Sequence, residues 1–184
     1  LIEDSAEMIG GKYKGKPCGS FGDVSTFSFY PNKAITTGEG GMIVTNNSEI
    51  AERSRSLRNL CFQSEKRFIH EEIGWNYRMS NIQAAIGIAQ LEKLEETTKK
   101  KIWIGNYYNK LLKNINHIQT QPCKKNYADN IYWVYGILID DKYGESEHIR
   151  AKLKELKIGT RPFFYPIHLQ PVYIKNKIFT KEYN

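Results

Sequence analysis

Thr26-Phe27-Ser28-Phe29-Tyr30-Pro31-Asn32-Lys33-Ala34-Ile35-Thr36-Thr37-Gly38-Glu39-Gly40-Gly41 is the stretch whose reading decides the fold. Together with Val24 and Ser25 it opens as a run of β-branched and aromatic residues, bounded by Gly22-Asp23 and Pro31-Asn32. Such a run predicts a buried strand over Val24 to Tyr30, ended by Pro31. Lys33 then projects from the loop at the strand end, the usual address of ligand chemistry in an α/β sheet. The glycines after it permit positive φ and close backbone approach, and they predict a tight, flexible loop before a second short strand at Met42 to Thr45. Taken alone, Lys33 reads as an exposed turn lysine; its neighbours in sequence change that reading.

Asp4 follows the apolar pair Leu1-Ile2, and Glu7 lies three residues on, close enough to share a face if a helical turn begins at Asp4. A lysine that can form an imine and a carboxylate that can keep a pyridine nitrogen protonated are the two groups a pyridoxal phosphate site requires. Ser28 adds a hydroxyl able to donate to a phosphate oxygen. Asp4 reads equally as a helix cap, and Ser28 equally as a backbone partner, until all are taken together.

The run Glu3-Asp4-Ser5-Ala6-Glu7, the segment from Gly15-Lys16 to Gly22-Asp23, the Phe27-Ser28-Phe29 strand, Lys33 and Thr37-Gly38-Glu39-Gly40-Gly41 resemble the DegT/DnrJ/EryC1/StrS family of sugar aminotransferases. Two further blocks, Gly74-Trp75-Asn76-Tyr77-Arg78-Met79-Ser80-Asn81-Ile82-Gln83-Ala84-Ala85-Ile86-Gly87 and Thr160-Arg161-Pro162-Phe163-Phe164-Tyr165-Pro166-Ile167-His168, resemble its perosamine-forming branch. The resemblance implies a fold-type I, aspartate aminotransferase-like α/β transferase dependent on pyridoxal 5'-phosphate. It implies that Lys33 is the imine lysine, Asp4 the partner of the pyridine nitrogen and Ser28 a phosphate ligand. Glu7, by the same resemblance a cofactor-binding residue, falls where many relatives carry glutamine and the perosamine-forming branch carries glutamate. Asn76 corresponds to an asparagine that reaches the cofactor phosphate of a neighbouring subunit, which implies a homodimer with shared sites.

The expected reaction moves an amino group from L-glutamate to C4 of a nucleotide-diphosphate 4-keto-6-deoxy sugar, for surface polysaccharide such as O-antigen. Lys33 serves both as the cofactor anchor and as general base and acid. A related enzyme type carries histidine in place of the lysine and dehydrates instead; this chain keeps Lys33, which favours amino transfer. A C3 aminotransferase acting on a 3-keto sugar nucleotide and a non-catalytic interaction or regulatory relative are the competing readings.

Family chains are roughly twice as long as these 184 residues, a scale at which a second domain is the rule. The expectation is therefore a fragment lacking the N-terminal half and inactive alone. Its expected parts are the C-terminal part of the large domain over 1–87, a linking helix over 88–113, and an incomplete α+β small domain over 114–184. Within them, the spacing predicts a helix from about Glu49 to Leu57, a long irregular loop over 59–75, and helical periodicity from Ser80 through Leu112. A strand is expected over Tyr132 to Ile139, a helix from Glu147 to Leu156, and a further strand after Ile158-Gly159-Thr160-Arg161.

A net charge of +7 would suit nucleic acid if the basic residues shared one face, but they are scattered. The dense run Lys99-Lys100-Lys101 follows Glu92, Glu95 and Glu96, which predicts a solvated, salt-bridged helix face and no nucleic-acid partner. Cys18, Cys61 and Cys123 are odd in number and show no metal spacing, so neither a disulfide framework nor a metal site is expected, and a reducing cytoplasm is the simplest setting. No apolar run is long enough to span a bilayer. For the substrate, the expected contacts are Arg78, Arg161 and His168. A guanidinium offers a planar fork for carboxylate or diphosphate, and Pro162 and Pro166 stiffen the loop carrying two of the three. Taken alone, Arg161 reads rather as a salt-bridged arginine and His168 as a histidine packed among aromatics; the resemblance turns both toward the site.

Overall fold

The computed structural model describes residues 1–66 and 68–176. In chain order the strands and helices are β1 (Ile2–Asp4), β2 (Lys12–Tyr13), β3 (Lys16–Pro17), β4 (Val24–Ser28), β5 (Gly41–Val44), α1 (Ser48–Leu57), α2 (Asn81–Leu91), α3 (Leu94–Leu112), β6 (Ile118–Thr120), β7 (Lys124–Lys125), β8 (Ala128–Asp129), β9 (Ile137–Ile139), α4 (Ser146–Glu155) and α5 (Pro171–Lys175). The chain divides into two compact units. The first holds Leu1–Lys113 and Gln121–Tyr135, and the second holds Asn114–Thr120 with the described part of Gly136–Asn184.

In the first unit, β4 is the central strand of a three-stranded sheet ordered β1-β4-β5. It pairs parallel to β1, with Asp4 opposite Thr26, and antiparallel to β5, with Ser28 opposite Gly41. Its position explains its composition, since Val24-Ser25-Thr26-Phe27-Ser28 is hydrogen-bonded on both edges and Ser25 is fully buried. The expected strand reached Tyr30. It ends at Ser28 because the next two residues already serve the loop: the Phe29 N–H donates to Gly40 O at 2.9 Å and the Thr37 N–H to Phe29 O at 3.0 Å.

A second sheet, ordered β3-β2-β8-β7, joins the hairpin at Lys12–Pro17 to the one at Lys124–Asp129. The sheet was invisible in the sequence. Its strands are two residues long and carry no periodicity.

The helices α1 and α4 fall within a residue of their expected bounds. The Asn47 side chain caps α1, accepting the Ile50 N–H at 3.1 Å. The periodicity from Ser80 to Leu112 resolves into two helices rather than one stretch. A capping box starts α2: Ser80 Oγ accepts the Gln83 N–H, and Gln83 Oε1 accepts the Ser80 N–H at 2.9 Å. It stops where the Lys93 N–H donates to Gln90 O, a tightened last turn, with Lys93 itself outside helical geometry at φ −102°, ψ 8°.

The strand expected over Tyr132 to Ile139 is corrected to Ile137–Ile139. Tyr132 takes φ +48°, which no strand tolerates, and is buried with its ring over Gly105 of α3. Packing there overrides the strand preference of Tyr-Trp-Val-Tyr. No strand follows Thr160-Arg161 among the described residues; that segment has no regular structure and leads into a 3₁₀ turn at Ile167–Leu169. In the second unit β6 and β9 pair antiparallel.

The core of the described residues is small: Phe29, Ile35, Cys61, Ile131 and Tyr132 are its buried apolar members. Ile2 on β1 and Met42, Ile43 and Val44 on β5 stay exposed. No helix among the described residues is long and apolar enough to cross a membrane.

Candidate active site

The parallel strands β1 and β4 run out at the same end of their sheet, and the residues beyond them converge there. Ser5 ties the two together, its N–H donating to Thr26 O at 2.9 Å, and is fully buried. Asp4 closes β1. It caps no helix; its Oδ1 accepts the Ala6 N–H at 3.1 Å, an Asx turn that redirects the chain, and the Met8 N–H then donates to Ser5 O at 3.0 Å. This turn brings Glu7 round to Lys33.

The Lys33 ammonium donates to Glu7 Oε1 at 2.7 Å. The lysine side chain is 9% exposed, while that of Glu7 is 44% exposed. On another side the indole of Trp133 covers the ammonium, with Nζ 4.0 Å from the ring centroid. The Trp133 Nε1–H donates to Asn32 O at 3.1 Å, so the ring is fastened to the residue preceding the lysine. A carboxylate and an aromatic face thus hold one sheltered cation.

The loop carrying Lys33 is firmly held rather than flexible. The Lys33 N–H donates to Tyr30 O at 3.0 Å, Thr36 Oγ1 to Phe29 O at 2.8 Å, and Thr37 Oγ1 to Glu39 O at 2.7 Å. From α2, Gln90 Oε1 accepts the Thr36 N–H at 2.9 Å and Gln83 Nε2 donates to Glu39 O at 3.1 Å. Gly40 shows why glycine is required here: it sits at φ +141°, and a Cβ would lie 2.8 Å from Thr37 Oγ1. The backbone freedom that glycine allows is spent on a fixed conformation.

Ser28, half-buried at the end of β4, accepts the Tyr30 N–H at 3.3 Å through Oγ, which leaves its O–H to donate elsewhere. Asn76 and Arg78 lie in a different place. With Arg58, Met79, Ser80 and Asn81 they line an open cleft of about 500 Å³ at the start of α2, built without Asp4, Glu7, Ser28 or Lys33. Arg161 and His168 belong to the second unit. Arg161 is exposed, its Nη1 donating weakly to Thr160 O at 3.4 Å, and His168 is half-buried in the 3₁₀ turn.

Two residues of this region escaped the sequence reading. Trp133 meets the lysine's neighbour across 101 positions, and no local spacing announces such a contact. Glu3 is the other. Its carboxylate accepts from the Gly19, Phe21 and Gly22 N–H groups and from the Ser5 and Ser25 hydroxyls, holding the loop before β4. The Gly19 bond above all, then that of Phe21, keeps the Glu3 carboxyl below the usual glutamate range. The sequence placed Glu3 in the run before Asp4 but gave no sign that it gathers three amides.

In the basic run, Lys99 pairs with Glu95 at 2.7 Å as a solvated i,i+4 bridge. Lys101 departs from the expected solvated face: burial pushes its ammonium down from the ordinary lysine value, and it donates to Trp133 O at 3.3 Å.

The model of the DegT/DnrJ/EryC1/StrS aminotransferase family matches residues 1–182. The chain is similar to the GDP-perosamine synthase of Escherichia coli O157:H7, 44% identical over 173 residues that make up 94% of this chain and 46% of that protein. It is 38% identical over 175 residues to the putative pyridoxal phosphate-dependent aminotransferase EpsN of Bacillus subtilis, covering 94% of this chain and 44% of that one. Among solved structures it matches the Helicobacter pylori aminotransferase PseC, involved in the biosynthesis of pseudoaminic acid, with a TM-score of 0.88 at 28% identity over 100% of this chain and 49% of that chain. The mixed α/β structure thus spans about half the length of the proteins it matches.

Proposed function

The chain belongs to the DegT/DnrJ/EryC1/StrS aminotransferase family, and from that premise we propose that the full-length protein transfers an amino group from L-glutamate to C4 of a nucleotide-linked 4-keto-6-deoxy sugar, using pyridoxal 5'-phosphate. The observation that carries this reading is the Lys33 ammonium, 9% exposed and held by Glu7 at 2.7 Å at the end of two parallel strands. The C4 position rests on the likeness to a GDP-perosamine synthase.

The residues present fit the cofactor. A sheltered amine is the group that attaches it, and Lys33 is the amine at this strand end. Asp4, whose Oδ1 is engaged by Ala6, has Oδ2 left to accept a pyridine N–H. Ser28 retains a hydroxyl proton for a phosphate oxygen. Bound, the cofactor supplies an electron sink for the carbanion formed at the amino-bearing carbon. Lys33 Nζ carries the proton between carbons, and Glu7 Oε1 steadies the charge while the lysine is loaded. The firmly bonded Thr36 to Gly40 loop keeps the amine from drifting between these two tasks.

In the same proposal, the cleft of Arg58, Asn76 and Arg78 meets the phosphate of a cofactor held by the neighbouring subunit of a homodimer. Arg161 and His168 are proposed as substrate contacts from the second unit. The test is addition of pyridoxal phosphate to the full-length protein. Visible absorbance of the lysine-bound cofactor is expected, together with its loss in Lys33→Ala. Absence of binding, or binding untouched by that substitution, refutes the reading, and NMR of the product formed from a 4-keto sugar nucleotide reports the carbon aminated.

A further inference from the structure

Trp133 touches Lys33 from the far end of the first unit, and nothing in the proposed reaction yet uses it. Its ring centroid lies 4.0 Å from the lysine Nζ, well inside the range of roughly 6 Å over which an aromatic face attracts a cation. The contact is built rather than incidental. The indole Nε1–H is fixed on Asn32 O at 3.1 Å, and the Trp133 carbonyl accepts from Lys101 at 3.3 Å. On either side along the chain, Tyr132 and Tyr135 are locked through Asn109, whose Nδ2 donates to Tyr132 Oη at 2.9 Å and whose Oδ1 accepts from Tyr135 Oη at 2.6 Å. The backbone feeding Trp133 forward is pinned by the Tyr132 N–H on Asn130 Oδ1 at 2.8 Å.

We propose that Trp133 is a positioning residue for Lys33: its indole face and the Glu7 carboxylate form a two-sided cradle that seats the detached lysine while it holds the transferred proton as an ammonium. The inference rests on reading Lys33 as the cofactor lysine. A lysine in that role is freed in each half-reaction as an amine, accepts a proton from carbon, and must then be held as an ammonium within reach of the carbon that receives the proton. A carboxylate alone would hold the ammonium and also compete for its proton. An indole face favours the cation by its quadrupole and has no basic lone pair to take the proton away. Glu7 therefore supplies the charge, and Trp133 supplies direction and shelter.

The test compares Trp133→Phe, which keeps an aromatic face, with Trp133→Leu, which is of similar bulk and has none. In the cofactor-free full-length protein, Lys33 is acetylated with dilute acetic anhydride at fixed pH. Its rate is read by peptide mass spectrometry against exposed Lys142 in the same molecule. The phenylalanine variant is expected near the wild-type rate and the leucine variant about two- to fivefold faster, the factor that loss of a cation–π contact implies. Equal rates in the two variants overturn the proposal, and Trp133→Met replaces the leucine variant should that one not fold. Borohydride reduction after adding pyridoxal phosphate separates the two levels. An adduct on Lys33 with equal acetylation rates sinks only the role of Trp133, whereas an adduct on another lysine removes the functional reading and this one with it.

Discussion

Gly105→Ala in α3 is expected to destabilise the protein, although alanine is the better helix former. Gly105 is the buried residue of that helix, and the ring of Tyr132 lies directly over it. A Cβ at this position would stand 2.4 Å from both Cγ and Cδ2 of Tyr132 and 2.6 Å from Cδ1. Ordinary carbon contact begins at roughly 3.5 Å, so the ring would have to withdraw by about 1 Å. It has little room to do so: the hydroxyl is held by Asn109 at 2.9 Å, and the residue is 4% exposed. Helix propensity returns about 1 kcal/mol to alanine, while overpacking of this kind costs about 1–3 kcal/mol, and three crowded ring atoms place it in the upper part of that range. The net loss is about 1–2 kcal/mol, read as a lowered Tm. Thermal unfolding of the full-length protein measures it. Gly87→Ala in α2 is the internal control, because its Cβ meets a single methyl, Thr37 Cγ2 at 2.9 Å, and the loss should stay within about 1 kcal/mol. Adding Tyr132→Phe, which frees the ring from Asn109, should recover part of the Gly105→Ala loss. An unchanged or raised Tm in Gly105→Ala would refute the reasoning.

Glu3→Gln should flatten the acid limb of the stability profile. The folded carboxyl lies below the ordinary 4.5, so its contribution is present above that pH and is lost as pH falls through the lower folded value; unfolding midpoints measured down the acid range report it, and identical limbs in wild type and variant would contradict it. Ser80→Ala removes the side-chain half of the capping box at α2, leaving the Ser80 N–H on Gln83 Oε1, and should cost about 1 kcal/mol in urea unfolding; an unchanged midpoint would count against the cap. Arg53→Ala breaks the exposed fork to Glu72, whose partners are 49% and 56% exposed, and should leave the unfolding midpoint almost where it was.

The sequence carried the local elements and left out what distance makes. Asn47 before Ser48 and the β-branched and aromatic run beginning at Val24 were readable because capping and strand preference act over a few residues. Glu7 was expected to share a face with Asp4 on a helical turn; the turn is an Asx turn instead, and the contact it gives Glu7 with Lys33, 26 positions on, has no local signal in the sequence. Trp133 was placed on a strand because aromatic and β-branched neighbours favour one. The structure prefers a left-handed Tyr132, since only that conformation lays its ring on the bare backbone of Gly105. Likewise the ribbon of β2, β3, β7 and β8 joins residues more than a hundred positions apart through strands too short to show a period. Asn76 and Arg78 were singled out by resemblance; the geometry adds that they share a cleft with Arg58 at the start of a capped helix.

The return of Gln121–Tyr135 to the first unit sets an order of events in the making of the protein. During synthesis Lys33 leaves the ribosome well before Trp133, and at about 5–20 residues per second the lysine waits on the order of 5–20 s for its aromatic cover. Over that interval Glu7, already synthesised, is its available partner. A nascent chain halted before Tyr132 would carry the same lysine open to solvent and to any aldehyde in reach, so reactivity of Lys33 in stalled chains of increasing length would time the closing of the first unit.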